Sequence, residues 1–125
     1  MASLTDYKFY CINGKPKFIQ IMADRNPNSH DFKIMIVDTE WQKHPEYCST
    51  FHPLIEAPQK PVSFDKMIEI AEDLAGPFPF VRIDFYEVNK KPIFGEMTFT
   101  PGFDTVTLDF ERIVGEQIVL PKVSW

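Results

Sequence analysis

The residues best suited to chemistry in this 125-residue chain lie between Phe80 and Thr98. Phe80–Val88 and Pro92–Thr98 read as two strands, with Asn89-Lys90-Lys91 as a three-residue loop between them. Side chains alternate faces along a strand, so Arg82, Asp84 and Tyr86 share one face. Val81, Ile83 and Phe85 share the other and read as core. On the second strand Phe94, Glu96 and Thr98 share a face, and Ile93 and Met97 go with the opposite one. A three-residue loop pairs Val88 with Pro92. Asp84 then faces Glu96, and Arg82 faces Thr98.

Directly opposed side chains sit ~5 Å apart at Cβ, and like charges placed so are destabilising. Two facing carboxylates need a compensating cation. Arg82 supplies part of it, and a divalent metal supplies more. Oxygen-only ligands favour Mg²⁺ or Mn²⁺ over zinc, and Mg²⁺ commonly combines one or two carboxylates with substrate phosphates. On this reading Asp84→Asn relieves repulsion, so the metal-free protein should be as stable as before or more so. The competing reading of the same residues is a solvated, salt-bridged sheet face with Arg82 between two acids, holding nothing.

Other elements must position this hairpin. Tyr7–Ile12 and Lys17–Met22 are strand-like runs joined by Asn13-Gly14, a strong hairpin signal. Asp24–Asp31 is a polar loop, and Phe32–Val37 is a third strand. Pro45, Pro53, Pro58 and Pro61 leave no regular element predicted from Asp38 to Pro61. Ser63 can cap a helix whose apolar residues, Phe64, Met67, Ile68, Ala71, Leu74 and Ala75, recur at three/four spacing and form a buried stripe. Gly76-Pro77 ends it. Leu108–Val114 reads as a short helix that Gly115 stops. The sum is an α+β domain spanning residues 1–125: an antiparallel sheet with a helix packed on one face. No repeat or linker divides the chain.

Composition bounds the function. Hydrophobic residues make up 44% and charged residues 25%, which is globular composition. The net charge of -5 argues against a nucleic-acid backbone or an anionic membrane as partner. An acidic protein can still bind a nucleotide when a metal mediates. Cys11 and Cys48 show no disulfide framework, no signal peptide opens the chain, and no apolar run approaches the ~20 residues of a spanning helix. A cytoplasmic protein is expected. His44, Cys48 and His52 recur every four residues and could line a helix as zinc ligands, but Pro45, Pro53 and the lack of a clear fourth ligand favour a loop. No Ser-His-Asp or Cys-His set is present, and Cys11 reads as core.

Val81-Arg82-Ile83-Asp84-Phe85, followed by the run from Phe94 through Gly95, Glu96, Met97, Thr98, Phe99, Thr100, Pro101 and Gly102 to Phe103, resembles the end of an ATP-grasp domain. There an Arg-x-Asp strand precedes a Glu-x-Asn strand and a Pro-Gly loop. The closer resemblance is to the TupA-like branch, linked to teichuronopeptide and other cell-surface polysaccharide synthesis. It is carried also by Asp6-Tyr7-Lys8-Phe9 with Asn13-Gly14-Lys15-Pro16, by Asp38-Thr39-Glu40-Trp41, by Phe64–Leu74 leading into Phe78-Pro79-Phe80, and by Gly115-Glu116 with Leu120-Pro121.

The resemblance implies that Asp84 and Glu96 hold Mg²⁺ (or Mn²⁺) bridging ATP phosphates. Thr98 stands where the family has Asn, as a weaker oxygen ligand. Arg82 approaches phosphate or substrate, and Lys8 reaches a phosphate. Trp41 falls in the resembling Asp38–Trp41 stretch, but a buried or loop-anchoring role is favoured over a ligand platform. The implied whole is the C-terminal portion of a carboxylate–amine ligase that acts on a small-molecule or glycan-precursor substrate. The glycine-rich lid, phosphate-contacting lysines and adenine hinge of a complete member have no counterpart here. A missing N-terminal half or second chain is the expected partner, and the isolated chain should bind ATP weakly. The alternative is a non-catalytic binding or assembly domain that keeps the fold.

Overall fold

The computed structural model describes residues 5–24, 31–99 and 105–118. Five strands, β1 (Asp6–Ile12), β2 (Lys15–Ala23), β3 (Lys33–Asp38), β4 (Phe80–Val88) and β5 (Lys91–Thr98), form one sheet in the order β3-β2-β1-β4-β5. Every pairing is antiparallel. Helix α1 (Phe64–Ala75) connects β3 to β4, and α2 (Leu108–Gln117) follows β5. The proline-rich stretch before α1 holds one turn of 3-10 helix, Pro45–Tyr47, with Pro45 at its start.

Asn13 and Gly14 both have positive φ, 51° and 81°, the geometry that matches the twist of a two-residue hairpin. Glycine is required at position 14 for a second reason. A Cβ there would lie 2.8 Å from the Gly76 carbonyl oxygen at the end of α1.

Phe9 and Tyr10 are neighbours on β1 and so point to opposite faces. The Phe9 ring meets Phe64 of α1 at 5.8 Å and Phe85 of β4 at 5.2 Å. Tyr10 and Phe18 meet Phe110 of α2 at 5.1 and 5.3 Å. The two helices therefore cover opposite faces of the sheet, and α2, expected as a helix but not assigned to a face, fills the second.

On α1, Phe64, Met67, Ala71 and Ala75 are buried. Leu74 is 36% exposed, contrary to the expected stripe. At 100° per residue it sits about 80° from Phe64, at the stripe's edge, and Ala75 takes the inward position of the last turn. Ser63 precedes α1 without a capping hydrogen bond of its own. Its hydroxyl and its backbone N–H both donate to Glu87 Oε2, at 2.7 Å each. A β4 carboxylate thus serves the helix N-terminus, where negative charge is favourable. The α2 helix runs through Gly115 to Gln117 rather than stopping there. Nothing crowds Gly115, and a helical glycine costs only about 1 kcal/mol. No described helix is long and apolar enough to cross a membrane.

Candidate functional site

The β4–β5 hairpin turns on two residues, not three. Asn89 and Lys90 both have positive φ, 53° and 64°, and Val88 pairs with Lys91. Continued without interruption, that register would set Asp84 opposite Gly95 and send Glu96 to the other face. A β-bulge prevents this. Phe85 pairs with Phe94 and Asp84 pairs with Glu96, so Gly95 is the extra residue. The shorter loop and the bulge offset each other, and Asp84 faces Glu96 while Arg82 faces Thr98. Beyond the bulge the faces differ from the sequence reading: Phe94 lies opposite Phe85, and Ile93 opposite Tyr86. Position 95 has little room. A Cβ there would stand 3.1 Å from the Asp84 carbonyl oxygen and 3.1 Å from Tyr86 Cε2.

Strand β1 adds a third column beside the hairpin. Lys8 pairs with Asp84, and Tyr10 with Arg82. Lys8 Nζ donates to Asp84 Oδ2 at 2.8 Å. Arg82 Nε donates to Oδ1 at 3.0 Å and its Nη2 to Oδ2 at 3.1 Å. The same Nη2 reaches Glu96 Oε1 at 3.4 Å, and the Thr98 hydroxyl donates to that oxygen at 3.5 Å. The Asp84 side chain is 6% exposed, those of Lys8 and Arg82 13% each, and that of Glu96 62%. Two cations thus hold one buried carboxylate while a second carboxylate stands in solvent beside them. Burial works against the Arg82 charge, but the charge and hydrogen bonds of Asp84 outweigh it, so the guanidinium pKa stands above its ordinary value.

A cleft of about 280 Å³ opens over this arrangement, lined by Asp6, Lys8, Asp84, Tyr86, Gly95 and Glu96. Asp6 was not singled out in the sequence. Its position two residues before Lys8, on the same strand face, is the signal that could have found it.

In donor chemistry the residues fit a hard divalent cation: two carboxylates and a hydroxyl, all oxygen. They are not a ready-made cage. Among the described residues no three or more His, Cys, Asp or Glu side chains are placed to hold a metal ion. Both oxygens of Asp84 are engaged by Lys8 and Arg82.

His44, Cys48 and His52 do not converge. His44 contacts Asp38 Oδ2 at 2.9 Å through Nε2 and Glu46 Oε1 at 3.0 Å through Nδ1. Burial lowers its pKa, but its hydrogen bonds to the Asp38 and Glu46 carboxylates more than offset this, and it stands raised. His52 stacks on Phe32 at 4.1 Å, and Cys48 Sγ donates to the His44 carbonyl at 4.0 Å. Their spacing of four needs an α-helix to align them, and only a 3-10 turn is present. Trp41 packs edge-on against Phe64 at 5.1 Å and donates from Nε1 to the Pro58 carbonyl at 3.0 Å, which anchors its loop. Pro101, Gly102, Phe103, Leu120 and Pro121 lie outside the described residues.

Sequence reasoning also missed Tyr10 and Gln20. Gln20 is 1% exposed, accepts from the Tyr10 hydroxyl at 3.3 Å and donates to Thr105 Oγ1 at 2.6 Å. An amide between Ile19 and Ile21 in an apolar strand is the available signal.

An antiparallel sheet whose terminal hairpin pairs an Arg-x-Asp strand with a Glu-bearing strand marks a class, and a comparison with family models names it. The chain matches the model for the TupA-like ATPgrasp family over residues 1–119, and it belongs to that family. It is an ATP-grasp-type protein, and that family generally binds ATP and Mg²⁺. No curated protein and no solved structure matches the chain.

Proposed function

We propose that this chain is the metal- and ATP-phosphate-binding C-terminal portion of a TupA-like ATP-grasp protein. The reaction class is carboxylate–amine ligation, in cell-surface polysaccharide or teichuronopeptide biosynthesis in the cytoplasm. The observation that carries this reading is the convergence of Lys8, Asp84 and Glu96 from three adjacent strands on one cleft, with Arg82 bonded to both acids.

Asp84 and Glu96 would hold Mg²⁺ or Mn²⁺, with Thr98 as a further oxygen donor. The ion would supply charge neutralisation at the phosphates when bound. Lys8 and Arg82 bind phosphate oxygens, Lys8 as a point charge and Arg82 as a planar fork with two parallel donors. In exchanging Asp84 for phosphate they free the carboxylate oxygens they now occupy. Arg82 would then offset charge on the transferring phosphoryl group as the substrate carboxylate takes the γ-phosphoryl group and ADP leaves; an amine would take the acyl group from the acyl phosphate, forming an amide and releasing inorganic phosphate. Adenine contacts and the glycine-rich lid come from a missing N-terminal half or a second chain.

One observation favours a second reading, a non-catalytic binding or assembly domain: Asp84 is already neutralised by two cations. Paramagnetic NMR separates the two. Mn²⁺ titrated in the presence of tripolyphosphate should broaden the amide signals of Glu96 and Thr98 before any others. If those signals stay sharp while distant acidic residues broaden, the assembly reading stands.

A further inference from the structure

His44 stands six residues after Asp38 and two before Glu46, and the fold brings all three together. Its Nε2 lies 2.9 Å from Asp38 Oδ2 and its Nδ1 3.0 Å from Glu46 Oε1. A carboxylate only accepts, and a neutral imidazole has one N–H and one bare nitrogen. Both contacts are therefore hydrogen bonds only when the ring is the imidazolium. The Asp38 end is fixed. Its Oδ1 accepts from the backbone N–H groups of Glu40 and Gln42 at 2.9 and 3.0 Å, which leaves Oδ2 for the histidine. The Glu46 end is looser, with a side chain 58% exposed against 25% for Asp38. Among the described residues these two acids are the charged groups that act on the ring. Strand β2 offers it the Phe18 ring, edge-to-face at 6.0 Å, and the turn offers the Tyr47 phenol, stacked at 5.4 Å. Lys43 spends its ammonium on the Glu56 carbonyl.

The turn that carries Glu46 also holds a distant part of the chain. The Tyr47 carbonyl accepts from the Thr107 N–H at 3.0 Å, the Ser49 N–H donates to the Thr105 carbonyl at 2.9 Å, and Cys48 bridges to Val106. The Tyr47 ring packs on Phe110 of α2 at 5.5 Å. Residues 105–107 lead from β5, which bears Glu96 and Thr98, into α2. Thr105 Oγ1 accepts from Gln20, the β2 partner of Lys8.

We propose that His44 is a proton-operated latch on the Pro45–Tyr47 turn. With both ring nitrogens protonated, it ties the turn to β3 and so keeps residues 105–107 paired with 47–49. When Nδ1 gives its proton to water, its lone pair faces the Glu46 carboxylate at hydrogen-bond distance, and the two repel. The remaining N–H stays with Asp38, and Glu46 swings into solvent. The turn loses its tie, and the order of the Thr105–Thr107 segment falls with it. Histidine suits this task because its charge changes between about pH 5 and 8. The two acids favour the charged ring, so the closed form persists above the ordinary imidazole range and opens as pH rises further. The device does not depend on the phosphate role of Lys8 and Arg82.

Amide hydrogen exchange, expressed as protection relative to the unfolded-chain rate at each pH, tests this beside the nitrogen-15 shifts of the His44 ring. Below the His44 midpoint both ring nitrogens should be protonated, and above it only Nε2. Across that midpoint, protection at the Ser49 and Thr107 amides should fall about tenfold, the factor that one hydrogen bond to a charged group yields at its weaker end. The amides of β1, the middle strand, should keep their protection. In Glu46→Gln the side-chain amide can accept from the ring or donate to it, so the fall should largely vanish while His44 still titrates. No fall in the wild-type chain, or a fall of the same size in His44→Gln, overturns the proposal. An equal fall at β1 would mean that the whole fold is losing stability, and counts against a latch just as firmly. If His44→Gln does not fold, an undiminished fall in Glu46→Gln, altered at an exposed side chain, is the refuting result.

Discussion

Replacing Asp84 by asparagine removes one charge and almost no volume. Lys8 and Arg82, 13% exposed at their side chains, then lose the carboxylate that three hydrogen bonds of 2.8, 3.0 and 3.1 Å tie them to. Removing one partner of a buried ion pair costs about 3–5 kcal/mol. The asparagine carbonyl still accepts from one cation, so the low end, about 3 kcal/mol, is the expectation. At about 4 °C per kcal/mol for a chain of this size, the melting temperature falls by about 12 °C. The sign is opposite to that expected from two facing acids alone, because Arg82 and Lys8 already relieve the repulsion. Glu96→Gln is the control. Its side chain is 62% exposed and meets Arg82 only at 3.4 Å, so its cost stays within about 0.5 kcal/mol. Thermal and urea unfolding of the three proteins at neutral pH, without metal, measures both. An Asp84→Asn chain that melts at or above the wild-type temperature would refute the account of a doubly paired carboxylate.

Gly95→Ala forces a methyl to within 3.1 Å of the Asp84 carbonyl oxygen, and urea melts should show a loss of about 1–3 kcal/mol from overpacking. The Asp38–His44 pair makes stability pH-dependent in a bounded window. The raised His44 pKa contributes stability that is fully present below the ordinary imidazole value of 6.5 and fades as pH rises through the folded value. Burial raises the Asp38 pKa, but the hydrogen bonds its carboxylate accepts from His44, Gln42 and Glu40 together outweigh it and leave the pKa lowered. Its contribution is present above 3.8 and fades as pH falls through the folded value. His44→Gln should therefore lower the melting temperature more at pH 5.5 than at pH 8.5, and an equal effect at both would contradict the pairing. Burial pushes the Cys11 thiol up to about 12 and the Cys48 thiol to about 11. Neither should react quickly with a disulfide reagent at pH 8 until denaturant is added, which absorbance of the released thiolate would show.

The strands β1 to β3 and helix α1 were legible because their signals are local: Asn13-Gly14 for the turn, apolar runs for the strands, three/four spacing for the helix. The β4–β5 turn was not, since Asn89-Lys90 lacks the glycine that marks most two-residue loops. Nor was the bulge, because Gly95 in a strand can equally mark a close backbone approach. The facing acids were read correctly through two unread features that offset each other. Lys8 lies 76 residues from Asp84, and only the placement of β1 between β2 and β4 brings them together. Periodicity cannot say which strands are neighbours, so the family resemblance named Lys8 while its partner stayed hidden. Gln20 and Tyr10 escaped for the same reason, their chain depending on a contact with Thr105 that is 85 residues away from Gln20.

Calorimetry tests the central claim most directly. ATP with Mg²⁺ is titrated into the chain, beside Mg²⁺ alone, ATP with chelator, and the Lys8→Met and Glu96→Gln proteins. Asp84 is occupied by Lys8 and Arg82, and in the proposed function phosphate must draw them away, so the account predicts weak binding that requires metal and nucleotide together and that both variants diminish. Tight binding of ATP without metal, or no heat of binding when both are present, would contradict it.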